Sequence, residues 1–215
     1  MRYNVHTHHL PPNNEHIAFV NQSYQYKPEN CRFFTAGLHP WYLEQSSLAE
    51  AKKWLSHQLQ QPGCVAVGEA GLDKACPTNW QLQVDAFQYC IQCSEDYQLP
   101  LILHCVQAFD ELLAYKPACT MPWVFHGFNK KIAVGQKVLQ AGAFLSFGAA
   151  ILNESSAAAT ALKHCPEHRF LLETDARSDI SIDTIYEKAA YIRNIPIKTL
   201  ENRLEETVQI IFKIP

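Results

Sequence analysis

His6 and His8 stand two residues apart where the apolar segment Tyr3–His6 ends. Side chains alternate along a strand, so both imidazoles point to the same side and can grip one divalent metal. Hydrogen bonds through their other ring nitrogens would set the tautomers. The pattern recurs along the chain. Val67-Gly68-Glu69-Ala70-Gly71-Leu72-Asp73, Leu103-His104-Cys105, Phe125-His126-Gly127 and Leu172-Glu173-Thr174-Asp175 each end a strand-like run with a residue able to bind a metal. One such histidine is ordinarily a satisfied core-edge residue; five ligand-bearing strand ends in succession are not explained by packing. His6, His8, Glu69, His104, His126 and Asp175 make a mixed imidazole–carboxylate set suited to one or two divalent ions. Zinc, magnesium and manganese are all compatible with it.

Two such ions roughly 3.5–4 Å apart lower the pKa of a bridging water and bind attacking and leaving oxygens, which favours hydrolysis of a polarised P–O or C–N bond. Glu69 can bridge two metals, His104 and His126 can complete the second, and Asp175 can hold the first while serving as general base. Glu69 and Asp175 are thus the candidate catalytic residues. His39, in Gly37-Leu38-His39-Pro40-Trp41, ends a strand at the same face and either meets substrate or caps its loop. Glu173 is a further candidate substrate contact, and Lys74 and Lys130 are candidate anion contacts.

The elements that must position these residues follow from apolar runs. Strand character falls at Tyr3–His6, Ile17–Asn21, Phe33–Leu38, Val65–Glu69, Leu101–His104, Trp123–His126, Ala143–Phe147 and Phe170–Glu173. Several are almost continuously apolar, as parallel strands buried on both faces are. Helical length and period fall at Leu48–Gln60, Gln81–Asp96, Lys131–Ala141 and Ser155–His164, with breakers such as Gln61-Pro62-Gly63 and Leu99-Pro100 before the next strand. Eight strands alternating with helices predict an α/β fold, a TIM-type (β/α)8 barrel, whose active site gathers at the C-terminal strand ends. The early connections, His8–His16 with Pro11-Pro12-Asn13-Asn14 and Gln22–Arg32, are too short for crossover helices. The barrel is therefore expected to be trimmed, with its first two helices reduced or absent and a more open groove beside them. Gly71 is expected to give a tight exit after a strand ending at Glu69. Helices at Ile182–Asn194 and Lys198–Ile214 are expected to close the outer layer, giving one domain over residues 1–215.

An apolar share of 47% supports a sizeable core, and a net charge of −3 argues against a module that coats nucleic acid with a broad basic face. It does not exclude a nucleic-acid substrate, because bound metals add local positive charge. Eight scattered cysteines, no signal-like N-terminus and no membrane-length apolar run point to a reducing, cytoplasmic setting without membrane association. Cys90-x-x-Cys93 sits inside a helical pattern with no second pair, so it reads as core. No feature names a protein partner.

Taken in order, His6-Thr7-His8, Gly37-Leu38-His39-Pro40, Gly68-Glu69-Ala70-Gly71-Leu72-Asp73, Leu103-His104-Cys105, His126-Gly127-Phe128 and Glu173-Thr174-Asp175 resemble the motifs of the TatD-related metal-dependent hydrolases. These are commonly named deoxyribonucleases and belong to the amidohydrolase-like barrel group. The match covers most of the chain, and Gly-Glu-x-Gly-Leu-Asp is its most specific string. The resemblance implies a barrel fold, His6, His8, Glu69, His104, His126 and Asp175 as metal ligands, and hydrolysis of phosphoesters, with DNA phosphodiesters the usual substrate. Three departures stand out. Asn4 occupies a position where the family usually has Asp, Val106 one where it usually has Arg, and the segment after Asp175 lacks the usual Asn-Pro-rich loop. The missing arginine would remove a phosphate contact. A small-molecule amidohydrolase or lactonase is the alternative enzyme, although such relatives often bridge their metals with a carboxylated lysine and no strand end here offers one. A non-catalytic metal-binding scaffold is the alternative outside enzymes, opposed by the completeness of the ligand set.

Overall fold

Each uninterrupted apolar run becomes a strand in the computed structural model, which describes residues 1–11, 16–24 and 31–214. In chain order the elements are β1 (Arg2–Thr7), β2 (His16–Gln22), β3 (Phe33–Ala36), a 3-10 turn (Pro40–Gln45), α1 (Leu48–Leu59), β4 (Cys64–Asp73), α2 (Trp80–Tyr97), β5 (Leu101–Val106) and α3 (Phe109–Tyr115). Then follow β6 (Trp123–Phe125), α4 (Ile132–Gln140), β7 (Phe144–Phe147), α5 (Ala157–His164), β8 (Phe170–Leu172), α6 (Ile182–Arg193) and α7 (Ile197–Phe212). This is the expected α/β barrel class, with parallel strands alternating with helices from β3 onward. Among the described residues no helix separates β1 from β2 or β2 from β3. Much of the two short early connections, residues 12–15 and 25–30, lies outside the described residues.

By packing, the chain falls into two compact units, Met1–Val20 with Phe125–Pro215, and Asn21–Val124. In the first, β1 runs parallel to β2 with Tyr3 opposite Ile17, and β7 runs parallel to β8 with Ser146 opposite Leu171. Beyond β8 the backbone bridges to β1 at Thr7 and Asp175. The last two helices pack on these strands. Phe212 meets Phe19 ring to ring at 4.7 Å, and the Tyr186 hydroxyl accepts from the Tyr3 amide at 3.0 Å. Arg2 pairs with Asp183 and, at 2.9 Å, with Glu201.

In the second unit β3, β4 and β5 are parallel neighbours, with Ala36 opposite Val67 and Gly71 opposite His104. Ser47 and Glu50 form a reciprocal capping box that starts α1, and the Asn79 side chain caps α2. Phe87 of α2 packs against Trp123 at 5.7 Å. Gln83 is buried on the same helix; its amide accepts from the Asp73 N–H at 2.8 Å and donates to the Thr78 carbonyl at 2.9 Å.

Two details depart from the sequence reading. The strand expected to stop at Glu69 continues to Asp73, because Gly71 is a site of close approach and not an exit. A side chain there would collide with the His104 carbonyl, so only glycine lets β4 lie against β5 at this point. The short helix α3 was not expected; it buries only Leu112 and has no side-chain cap, so its period is faint. Among the described residues the cysteines form no disulfide. Cys90 and Cys93 face the core of α2, and burial pushes Cys64, Cys90 and Cys165 up to about 12. Among the described residues no helix is long and apolar enough to cross a membrane.

Candidate active site

In the first unit three segments converge. β1 delivers His6 and, just past its end, His8; β6 ends immediately before His126; the turn after β8 carries Asp175. Backbone hydrogen bonds lock that turn to β1, with the Asp175 N–H donating to His6 O at 3.0 Å and the His8 N–H to Asp175 O at 3.1 Å. Asp175 itself has φ of 53°, the left-handed region that aspartate tolerates better than most residues. That conformation turns its carboxylate toward the imidazoles: Oδ1 lies 3.6 Å from His6 Nε2 and 3.4 Å from His8 Nε2. The His6 ring stands 5.2 Å from His8 and 4.3 Å from His126, and ligand atoms of His6, His126 and Asp175 lie within 4.8 Å of one another.

Those spacings fit an ion. Nitrogen and oxygen ligands about 2.1 Å from a tetrahedral metal sit about 3.4 Å apart from each other, longer than a hydrogen bond. Electrostatics agree with the geometry. Burial acts to raise the Asp175 carboxyl, but His6, His8 and His126 outweigh it and hold it well below the usual carboxylate range. A carboxylate kept ionised among imidazoles is a ready ligand for a divalent cation.

Glu173 lies beneath His126. It is fully buried, accepts from the Gly127 N–H at 2.6 Å and from the Ser146 hydroxyl, and its Oε1 is 3.5 Å from His126 Nδ1. It does not face solvent; its carboxylate lies behind the imidazole. Asn4 and Thr174 brace the same turn. Asn4 Nδ2 donates to Thr174 Oγ1 at 2.8 Å, and the Thr174 N–H donates to Asn4 Oδ1 at 3.0 Å.

In the second unit the candidate ligands gather on Glu69. β4 has a register irregularity against β5 between Val67 and Ala70, and such bulges re-aim side chains. Glu69 Oε1 lies 2.9 Å from His104 Nδ1 and 3.1 Å from His39 Nε2, while Oε2 accepts from Asn21 Nδ2 at 3.4 Å. The Glu69 N–H also donates to Asn21 Oδ1 at 2.9 Å, so Asn21 holds both the backbone and the side chain. Ligand atoms of His39, Glu69 and His104 lie within 4.8 Å of one another. His39 in addition accepts the Trp41 N–H on Nδ1 at 3.1 Å, so it caps its loop and faces Glu69 at once.

Asp73 completes this group. It is buried, its Oδ2 sits 3.1 Å from His104 Nε2, and it accepts from the Trp41 indole N–H at 2.7 Å. Burial works to raise the Asp73 carboxyl; the Trp41 and His104 contacts outweigh it and hold it below the usual range. A carboxylate on one ring nitrogen leaves the other to bind a metal, the arrangement that tunes metal-ligating histidines. Lys74, next in sequence, is engaged by Glu111 and lies 5.9 Å over the Trp80 ring.

Asn21, Asp73 and Trp41 were not singled out from sequence as site residues. Asp73 lay inside the most specific motif, and Asn21 ended an expected strand as a polar residue after Phe19-Val20. Either signal was available. His16, at the start of β2, pairs with Asp183 at 3.0 Å.

Fold and side chains together describe an α/β barrel whose strand ends carry a donor set able to hold divalent metal. A family model described as TatD related DNase matches residues 13–213, and the chain belongs to that family. Among curated proteins it is 32% identical over 148 residues to the human 3′-5′ RNA nuclease TATDN2, covering 65% of this chain and 19% of that one. It is 29% identical over 160 residues to the 3′-5′ ssDNA/RNA exonuclease TatD of Erwinia billingiae, covering 70% and 59%. The chain therefore spans less than two thirds of either relative. Among solved structures, the TatD homolog YJJV from Escherichia coli K12 matches with a TM-score of 0.76 at 21% identity, over 92% of this chain and 86% of that one. That likeness carries the fold.

Proposed function

We propose that this chain is a divalent-metal-dependent hydrolase of phosphodiesters, acting on DNA or RNA strands. The observation that carries this reading is the placement of the Asp175 carboxylate 3.4 Å and 3.6 Å from the His8 and His6 imidazoles, at ligand-to-ligand spacing. His6, His8, His126 and Asp175 would hold one ion; Glu69 and His104, with His39 beside them, supply the ligands for a second. Zinc, magnesium and manganese all suit such donors. A bound divalent ion supplies Lewis acidity to a phosphoryl oxygen and a lower pKa to a coordinated water.

The chain's own residues provide the rest. Asp175, held ionised, accepts a proton from the attacking water at a carboxylate oxygen. Glu69, kept in place by Asn21, orients the reacting phosphate region through its ligand role. Asp73 fixes the tautomer of His104 through its hydrogen bond, and the Glu173 carboxylate sets a charge behind His126. The names of the relatives favour nuclease action, and nothing in the geometry favours the lactonase alternative. A reducing, cytoplasmic setting suits eight cysteines held as thiols.

The test is digestion of a labelled single-stranded oligonucleotide with Mg²⁺ or Mn²⁺, beside an EDTA control and the Glu69→Ala and Asp175→Asn proteins. Cleavage that vanishes in all three controls supports the reading. Metal-loaded wild type that leaves every strand intact defeats it.

A further inference from the structure

Trp41 has a property no metal or tautomer requirement explains. It follows His39-Pro40 at the start of the 3-10 turn and is 54% exposed, although its neighbours His39 and Asp73 are buried. Its indole N–H is tied to Asp73 at 2.7 Å, and its ring stands nearly perpendicular to those of His39 at 5.2 Å and His104 at 5.8 Å. A large apolar ring is thus fixed in direction, open to solvent, and in contact with two members of the His39–Glu69–His104 group. The other exposed tryptophan, Trp80, starts the adjoining helix, where the Asn79 N–H meets Glu44 at 3.0 Å. Its ring is faced by the Lys74 ammonium at 5.9 Å, whereas no cation is placed over Trp41 among the described residues.

We propose that Trp41 is a base-stacking platform, receiving the nucleobase of the nucleotide whose phosphate is presented to the metal-binding residues. The assignment rests on the nucleic-acid reading above and deepens it. A ring this close to His104 lies one base-to-phosphate length from the ligands, and stacking on an indole is tolerant of sequence because every base has a π-face. The hydrogen bond to Asp73 means that the platform need not be ordered on binding, which keeps its affinity contribution from being lost to side-chain entropy. It also offers substrate grip without the arginine that Val106 replaces.

The experiment is fluorescence anisotropy with a labelled, cleavage-resistant phosphorothioate oligonucleotide and metal-loaded protein, compared with the same strand carrying an abasic 3′-terminal nucleotide. Removing the base should weaken wild-type binding roughly 5- to 150-fold. Trp41→Ala should bind the intact strand as weakly as wild type binds the abasic one, and should lose no more when both changes are combined. Trp41→Phe, which keeps a ring and lacks the N–H, should recover most of the difference. Equal wild-type affinity for intact and abasic strands would overturn the platform and leave the nuclease reading standing. A Trp41→Phe protein as weak as Trp41→Ala would also overturn it, by placing the role in the Asp73 hydrogen bond. No measurable binding of either strand would overturn both readings.

Discussion

Asn4 engages Thr174 with both ends of its amide, donating from Nδ2 to the threonine hydroxyl and accepting at Oδ1 from the threonine N–H. Thr174 Oγ1 in turn lies 3.2 Å from Thr7 Oγ1, donating to it. A carboxylate at position 4 could accept from both groups of Thr174 but could donate to neither, so the hydroxyl would have to abandon Thr7. Asn4→Asp is expected to cost about 1 kcal/mol at neutral pH and Asn4→Ala about 1–3 kcal/mol, since the latter leaves a buried N–H unpaired. Urea unfolding curves measure both; an Asn4→Ala protein as stable as wild type would contradict the brace.

The buried carboxylate behind His126 makes a second test. Glu173→Gln keeps an acceptor for Gly127 but loses the charge facing His126, and such outer partners are worth roughly 10- to 100-fold in metal affinity or activity. Asp175→Asn, which alters a ligand outright, should lose more. Metal content after gel filtration and a titration followed by calorimetry would rank the two. A Glu173→Gln protein that binds metal like wild type would remove Glu173 from the site's support.

Metal removal should be felt by the whole fold. The candidate ligands of the first unit come from β1, from the residue after β6 and from the turn after β8, so an ion held there would tie distant parts of the chain together. At free metal one hundred times its Kd the stabilisation is about 2.7 kcal/mol. Dialysis against EDTA should lower the melting temperature, and adding Mn²⁺ or Zn²⁺ should restore it. An unchanged melting curve would mean that no ion was held.

Acid stability should depend on Arg2. Burial acts to raise Asp183 and Glu201, but Arg2, joined by His16 at Asp183 and by Lys198 at Glu201, outweighs it and holds both carboxyls below their ordinary values. Groups depressed in the folded state add stability above their unfolded pKa, near 4, and lose it as pH falls through the folded value. Because Asp183 is more than a third exposed, solvent screening keeps its share small. Arg2→Met should therefore be less stable than wild type at pH 7, with the gap closing below about pH 4. Chemical denaturation at a series of pH values would show it, and a constant gap would refute it.

Much of this was visible in the residues. The eight strands start within one residue of where the apolar runs place them, because parallel strands buried on both faces leave a nearly continuous apolar trace. That His6, His8 and Asp175 come together was legible for a related reason: metal-donor residue types recur at the ends of the apolar runs. The course of β4 was not, since Gly71 reads equally as a turn and as a close approach until its neighbour is known. Asn21 escaped notice because an amide is not a metal ligand, and its contribution lies in whom it holds. The grouping of His126 with His6 and Asp175 depends on how β1 and β6 are arranged in space, which no spacing in the chain encodes.

The burial that pushes Cys64, Cys90 and Cys165 up to about 12 makes those sulfurs poor nucleophiles at neutral pH, where only the thiolate reacts. Such thiols resist oxidants and alkylating reagents, Cys64 among them although it is partly exposed, and a maleimide dye would be drawn to the other partly exposed cysteines, Cys31, Cys76 and Cys105. Cys76 follows the end of β4, and Cys105 is the penultimate residue of β5, next in sequence to His104. The molecule thus comes with natural attachment points on the strands that carry Glu69 and His104, ready for spectroscopic reporters of strand binding without any engineered cysteine.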